Sequence, residues 1–281
     1  MRADSYVREV ATVGEHFDRD NLDPAGAQLP LMRAVLKAGK SVIIVLINGR
    51  TVTFGAGPGD GYNSMFSDAA AVIAAWHPGE EGGHALWNIL NGTVNPSGRT
   101  AHTWPRTVGQ VHMYVPHFLE MRTRSPTSQF ADNAPATPLV PFGYGLSYSN
   151  YALANAKLSS AVSSCTGATH SCTITADDTF NVEVDITNTG TMAGKVVVQV
   201  YFSQDLSSRV RFDNMLLGFG KIEVAAGATV KGAKVTLKAR ELEMWSKNQD
   251  KYIVEPGDYT LHVGQHVVDK AMAHATLSIK A

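Results

Sequence analysis

The chain has 281 residues, 44% of them apolar and 17% charged, which is the composition of an ordinary globular protein with room for two cores. Its 24 Lys plus Arg against 25 Asp plus Glu leave a net charge of -1, too little field to gather nucleic acid or anionic lipid, so neither a nucleic-acid nor a membrane partner is expected. No run approaches the roughly 18 apolar residues of a membrane span, and the polar start Met1-Arg2-Ala3-Asp4-Ser5-Tyr6 lacks a signal-peptide core.

Taken in chain order, Val7 to Val13 reads as a strand, and Glu15 follows it inside Val13-Gly14-Glu15-His16-Phe17-Asp18-Arg19. A carboxylate at the carboxyl end of a strand stands where open α/β sheets place reactive groups. A helix pattern runs from about Gln28 to Ala38, and the apolar run Ser41 to Ile47 reads as a buried parallel strand. Ala69 to Trp76 fits strand or helix, and after a Gly-rich turn a helix is expected from Glu80 to Leu90, ended by Asn91-Gly92. Pro116 to Pro141 is polar and aperiodic, a long surface excursion.

Past Leu158 short alternating strands with turn signals indicate a β-sandwich. Phe180 to Ile186, Val196 to Phe202, Ala233 to Leu237 and Tyr259 to Val263 are its strands, with turns at Asn188-Thr189-Gly190 and Glu255-Pro256-Gly257-Asp258. Lys195 to Phe202 reads as plain alternation of core and surface. The expected organisation is an α/β domain over 1–152, a linker over 153–175 and an all-β domain over 176–281. Cys165 and Cys172, with six residues between them, are close enough to bridge and equally compatible with two free thiols.

Four separate strings then converge: Glu15-His16-Phe17-Asp18-Arg19; Trp76-His77-Pro78-Gly79-Glu80-Glu81-Gly82-Gly83; Asn95-Pro96-Ser97-Gly98-Arg99 with Thr103-Trp104-Pro105; and Pro141-Phe142-Gly143-Tyr144-Gly145-Leu146-Ser147-Tyr148. Together they resemble glycoside hydrolase family 3. Val184-Asp185-Ile186-Thr187-Asn188-Thr189-Gly190, Leu216-Leu217-Gly218-Phe219 and Val254-Glu255-Pro256-Gly257-Asp258-Tyr259 are similar to the fibronectin type III-like domain of its β-glucosidases and β-xylosidases. The resemblance implies a partial α/β sandwich, a mostly parallel sheet with flanking helices, followed by an immunoglobulin-like (fibronectin type III-like) sandwich. It also implies that Leu216 to Phe219 docks the second domain on the catalytic body.

What the resemblance implies chemically is retaining hydrolysis of β-linked glucosides or xylosides by two carboxyl groups, with no cofactor and no metal. Glu15 lines up with the family's acid/base Glu, with His16 where Gly is usual, Phe17 for Tyr, and Asp18 and Arg19 kept. The nucleophile Asp and its barrel have no counterpart in these residues, so a barrel-domain partner is expected. The other reading of Glu15 is a surface carboxylate paired with Arg19, and the motif context favours the proton donor. Asp18 and Arg19 read as an ion pair ordering the loop, while His16 and Phe17 are candidates to flank a sugar. The family setting implies a secreted, periplasmic or vacuolar/lysosomal location. A non-catalytic carbohydrate-binding or scaffold module, or an inactive truncated product, is the alternative.

Other constellations are weaker. His77, Glu80, Glu81 and His84 have metal-ligand residue types, but Gly79, Gly82 and Gly83 undercut the helix that would align them, and a turn with close backbone approach is expected instead. Gly55 to Gly61 fits no phosphate-loop pattern, and Ser67-Asp68 copies a nucleophile motif in the wrong domain. Ser147 lacks a nucleophile-elbow frame and Cys165 a local activating base.

Overall fold

The computed structural model describes residues 21–55, 63–110, 137–161, 165, 171–269 and 273–280. They divide into two compact units. One unit lies within Met1–Thr93, Thr103–Tyr114 and Arg124–Val140; the other lies within Val94–His102, Val115–Thr123 and Pro141–Ala281. The division interleaves along the chain rather than cutting it once.

In the first unit, helix α1 (Gln28–Lys37) begins where Gln28 Nε2 donates to the Ala25 carbonyl at 2.9 Å, and stops at Gly39 with φ 70. Glycine in the left-handed region after the last turn is the usual helix terminator. Strand β1 (Ile43–Leu46) pairs in parallel with β2 (Ala71–Ala74), joined through the short helix α2 (Ser64–Asp68). The ambiguous run from Ala69 to Trp76 is therefore a strand, and Ser67-Asp68 closes a helix. Full burial of the first apolar run does not hold among the described residues: Ile44 and Leu46 are buried, but Ile43 is 49% and Ile47 56% exposed.

Helix α3 (Gly82–Leu90) starts two residues later than the sequence pattern suggests. Its first residue must be small, because a Cβ on Gly82 would lie 2.6 Å from Pro78 Cγ. Close approach thus holds at Gly82 alone, against a side chain; Gly79 supplies a turn at φ 75, and a Cβ on Gly79 or Gly83 would meet nothing within 4 Å. Asn91-Gly92 ends the helix, with Gly92 at φ 80. Trp87 on this helix is 64% exposed.

The second unit is a two-sheet sandwich. Its strands are β3 (Tyr151–Ser160), β4 (Ser171–Ile174), β5 (Thr179–Asn188), β6 (Gly194–Ser203), β7 (Met215–Val224), β8 (Thr229–Lys238), β11 (Gly257–Gly264) and β12 (Ala273–Ile279). One sheet has the order β4-β12-β11-β6-β7, the other β3-β5-β8, and a hairpin of β9 (Met244–Ser246) and β10 (Lys251–Ile253) stands apart. All pairings are antiparallel except β4 with β12. The core is built by alternation: Phe180, Val182, Val184 and Ile186 from β5 meet Val196, Val198, Val200 and Phe202 from β6. Burying a side chain of this size is worth about 1.5–3 kcal/mol.

Two expectations change here. The segment 153–175 is not a bare linker, because β3 occupies most of its first part and β4 its end. The expected turn at Asn188 to Gly190 is present and lies between β5 and β6, which belong to different sheets. It is an inter-sheet crossing held by buried Asn188, whose Nδ2 donates to the Met192 and Val224 carbonyls and whose Oδ1 accepts from Gly190 N at 2.9 Å. The alternation expected along Lys195 to Phe202 fails at its end, where Gln199 and Tyr201 are buried as well as Val198, Val200 and Phe202. The reason is a covering strap: Phe142 packs edge-on to Tyr201, and Gln199 Nε2 donates to the Gly143 carbonyl at 2.9 Å.

Cys165 and Cys172 form a disulfide with Cα atoms 4.7 Å apart, which resolves the two readings left open by the spacing. Of the Leu216 to Phe219 string, Leu217 joins the core while Leu216 and Phe219 are exposed.

The sandwich carries a pH dependence with a definite sign. Burial pushes the His266 imidazole below its usual range; Asp269 opposes this and Arg99 adds to it. Burial lowers His102 in the same way. Each is favoured neutral in the fold, while the unfolded chain takes up a proton near pH ~6.5. Their stabilisation is therefore complete above that pH and is lost as pH falls through the depressed folded values. We expect the melting temperature to fall between pH 7.5 and 5, and His266→Gln to flatten that slope; a slope unchanged by the substitution removes His266 from the account.

Candidate functional site

The proposed acid/base Glu15 and its neighbours His16, Phe17, Asp18 and Arg19 lie outside the described residues, as do the Val7 to Val13 strand, most of the Gly55 to Gly61 loop and most of the 116–141 excursion. The described chain begins at Asn21, and Leu22 and Asp23 are fastened at the carboxyl end of β1.

Arg50, in the loop leaving β1, donates through Nη1 to the Leu22 carbonyl at 2.8 Å and to the Thr51 carbonyl at 3.0 Å, and through Nη2 to the Asp23 carbonyl at 3.1 Å. Thr53 N donates to the Leu22 carbonyl at 3.0 Å. One carboxylate oxygen of Asp23 accepts from the Thr53 hydroxyl and from Gly55 N, the latter at 3.1 Å. Hydrogen bonds to charged groups are the stronger ones, about 1.5–3 kcal/mol each. The loop is braced in turn by buried Asn63, in a left-handed conformation at φ 78, which accepts from Phe54 N at 2.5 Å and donates to the Arg106 carbonyl at 2.9 Å. Sequence reasoning did not single out Asp23, Arg50 or Asn63. The one signal available was Asp23-Pro24, a turn-initiating pair.

The loop after β2 adds a second feature. Trp76 sits at φ 52, a conformation that a bulky residue adopts only when its surroundings impose it. Trp76 packs edge-on to buried Trp104 with ring centroids 6.2 Å apart. His77 lies over Gly49, where a Cβ would be 3.1 Å from Nε2. The two loops at the carboxyl ends of the parallel pair thus pack on each other, at the edge where α/β sheets bind ligands.

The remaining motif residues have structural partners. His84 Nδ1 pairs with Glu81 Oε2 at 2.8 Å on the exposed side of α3. The Ser147 hydroxyl donates to Asn95 Oδ1 at 2.6 Å, which fixes a turn. Asn95 also accepts from Tyr148 N at 2.9 Å and donates to the Ala193 carbonyl at 3.1 Å. Arg99 reaches the Gly98 carbonyl at 3.0 Å, and burial lowers its pKa from the usual arginine value.

An α/β unit with interlocked strand-end loops and a fibronectin type III-like sandwich define the C-terminal architecture of a class of multidomain glycosidases. Residues 2–148 match the glycosyl hydrolase family 3 C-terminal domain and residues 196–267 the fibronectin type III-like domain, and the chain belongs to glycosyl hydrolase family 3. It is 35% identical over 273 residues to a β-xylosidase of Formosa agariphila, covering 96% of this chain and 34% of that protein. It is 32% identical to a periplasmic β-glucosidase of Salmonella typhimurium, covering 91% of this chain and 32% of that protein. Its fold is similar to that of a β-glucosidase from Listeria innocua in complex with glucose, with a TM-score of 0.77, 28% identity, and coverage of 95% of this chain and 35% of that one. The chain spans about a third of the length of these relatives.

Proposed function

We propose that the chain is the C-terminal portion of a retaining β-glucosidase or β-xylosidase in which Glu15 is the acid/base carboxyl group. The observation that carries this reading is that the family match begins at residue 2 and so takes in Glu15. The fastening of Leu22 and Asp23 at the carboxyl end of β1 supports it, because that is the edge where α/β sheets bind ligands.

Retention needs two carboxyl groups about 5–5.5 Å apart, one attacking the anomeric carbon and one protonating the departing oxygen. Glu15 takes the second role, giving its proton to the leaving oxygen and later accepting one from the water that releases the sugar. Desolvation beneath the sugar raises a carboxyl pKa and keeps such a donor protonated. The nucleophile is supplied by a barrel domain, which also makes most of the sugar contacts. Asp18 and Arg19 order the loop, and His16 and Phe17 flank the sugar.

The test is hydrolysis of a chromogenic β-glucoside and β-xyloside by the purified chain, alone and mixed with a separately expressed family 3 barrel. Turnover is expected only in the mixture, with Glu15→Gln lowering it at least about a hundredfold. Turnover by the chain alone defeats the two-part account. Silence in every arm, with sugar binding retained, turns the assignment to a non-catalytic module.

A further inference from the structure

The outer face of the five-stranded sheet holds two histidines side by side. His262 on β11 and His274 on β12 are cross-strand partners in register. Tyr259, Leu261 and Val263 of β11 and Ala275, Leu277 and Ile279 of β12 are buried, so by strand alternation both imidazoles face outward. Their Nδ1 atoms are 2.9 Å apart, with ring planes at 89°. On its other side, His262 Nε2 lies 2.9 Å from the hydroxyl of Ser203 on β6.

That third contact matters for the chemistry. The Ser203 hydroxyl can accept from Nε2–H or donate to Nε2, and where it accepts, Nδ1 of His262 is the unprotonated nitrogen. A ligating histidine is typically oriented by a hydrogen bond from its remote ring nitrogen in this way. The Nδ1 contact carries one proton between the two rings, and a cation bound there displaces it to an Nε2 atom, which changes a tautomer and no net charge and leaves both Nδ1 atoms as donors to the metal.

We propose that His262 and His274 form a bidentate imidazole site for a divalent transition-metal cation, with Cu(II) or Ni(II) preferred. The spacing decides the preference. With metal–nitrogen bonds of about 2.0–2.1 Å, nitrogens 2.9 Å apart subtend an angle of roughly 90° at the metal, the cis angle of a tetragonal centre and well short of the tetrahedral angle of zinc. Among the described residues no group of three His, Cys, Asp or Glu assembles, so the two imidazoles leave the other positions to water or an external ligand. The site lies within the sandwich and is independent of the glycosidase assignment.

The experiment is titration of the full chain with Cu(II), read by calorimetry and by electron paramagnetic resonance. One saturable site with superhyperfine structure from two imidazole nitrogens is expected. His274→Thr, an exposed strand position given a strand-favouring residue, should weaken binding at least about tenfold and reduce the signal to fewer nitrogens. Ser203→Ala should weaken it by up to about tenfold, with both nitrogens retained. His84→Ala should leave the titration unchanged. Metal-free melting curves verify that each variant folds; should His274→Thr melt early, His274→Gln repeats the test. A titration and spectrum that survive loss of the His274 imidazole overturn the proposal.

Discussion

Tyr259→Ala is expected to lower the stability of the sandwich by about 3–5 kcal/mol, a large share of the about 5–15 kcal/mol that holds a domain folded. Tyr259 is fully buried, its ring packs on Phe202 with centroids 6.0 Å apart, and its hydroxyl donates to the Glu255 carbonyl at 2.7 Å. That bond spans the turn Glu255-Pro256-Gly257-Asp258, so one side chain joins the core to the entry of β11, in the manner of the tyrosine corner of immunoglobulin-like domains. The alanine variant also uncovers Arg211. Its guanidinium carbon lies 5.6 Å from the Tyr259 ring centroid and 5.5 Å from that of Phe202, while Nη2 donates to the Leu242 carbonyl at 2.7 Å. Tyr259→Phe separates the parts, since it keeps the ring and removes one hydrogen bond worth about 1–1.5 kcal/mol. Urea melts of the two variants check this, and equal losses would refute a role for the ring as the post of the core.

Helices and strands with a single dominant signal were legible in the sequence. Gln28 to Ala38 and Glu80 to Leu90 carried apolar periodicity closed by glycine, and both are helices within two residues of those bounds. β5 and β11 alternate because one face is core and the other is not. The misreadings share a cause, which is that a distant part of the chain decides them. In β7, which the sequence reading did not place, a Cβ at Gly218 or Gly220 would lie 2.4 Å from Leu237 Cδ2 or 3.1 Å from Val235 Cγ2, so glycine marks close approach to β8 rather than a break. β3 includes Ala152, Ala154 and Ala156, which have little strand propensity, and is held by its pairing with β5. Nothing local distinguishes a turn that closes a hairpin from one that crosses between sheets, as at Asn188.

The candidate site divides along the same line. The resemblance singled out Glu15 from its motif, but the polar clamp made by Asp23, Arg50 and Asn63 depends on groups that meet only in three dimensions. Two of the other strings that signalled the family belong to the fabric of the fold. Asn95 to Arg99 and Pro141 to Tyr148 are zipped together, with Thr100 N donating to the Tyr144 carbonyl and Gly143 N to the Thr100 carbonyl, each at 2.9 Å.

Gly145→Ala is expected to cost at least about 3 kcal/mol, because a Cβ there would lie 2.2 Å from the Gly98 carbonyl oxygen. A backbone oxygen cannot turn aside as a side chain can, so the strain must spread into the zipped segments. The Arg99 side chain is also in the way, with Nη1 at 3.0 Å and Cδ at 3.1 Å from the same point. The damage then reaches the sandwich, since the Gly143 carbonyl accepts from Gln199 Nε2, and Gln199 Oε1 accepts from the buried Tyr201 hydroxyl. Gly98→Ala is the matched control: its Cβ would meet nothing within 4 Å, and the change is expected to be neutral within about 0.5 kcal/mol. Thermal melts together with amide exchange at Thr100, Gly143 and Tyr144 distinguish the cases. Loss of protection at these three amides in Gly145→Ala alone would show that the glycine is required for space. Equal melting of both variants would move the requirement elsewhere and leave the Gly143-Tyr144-Gly145 string without a steric cause.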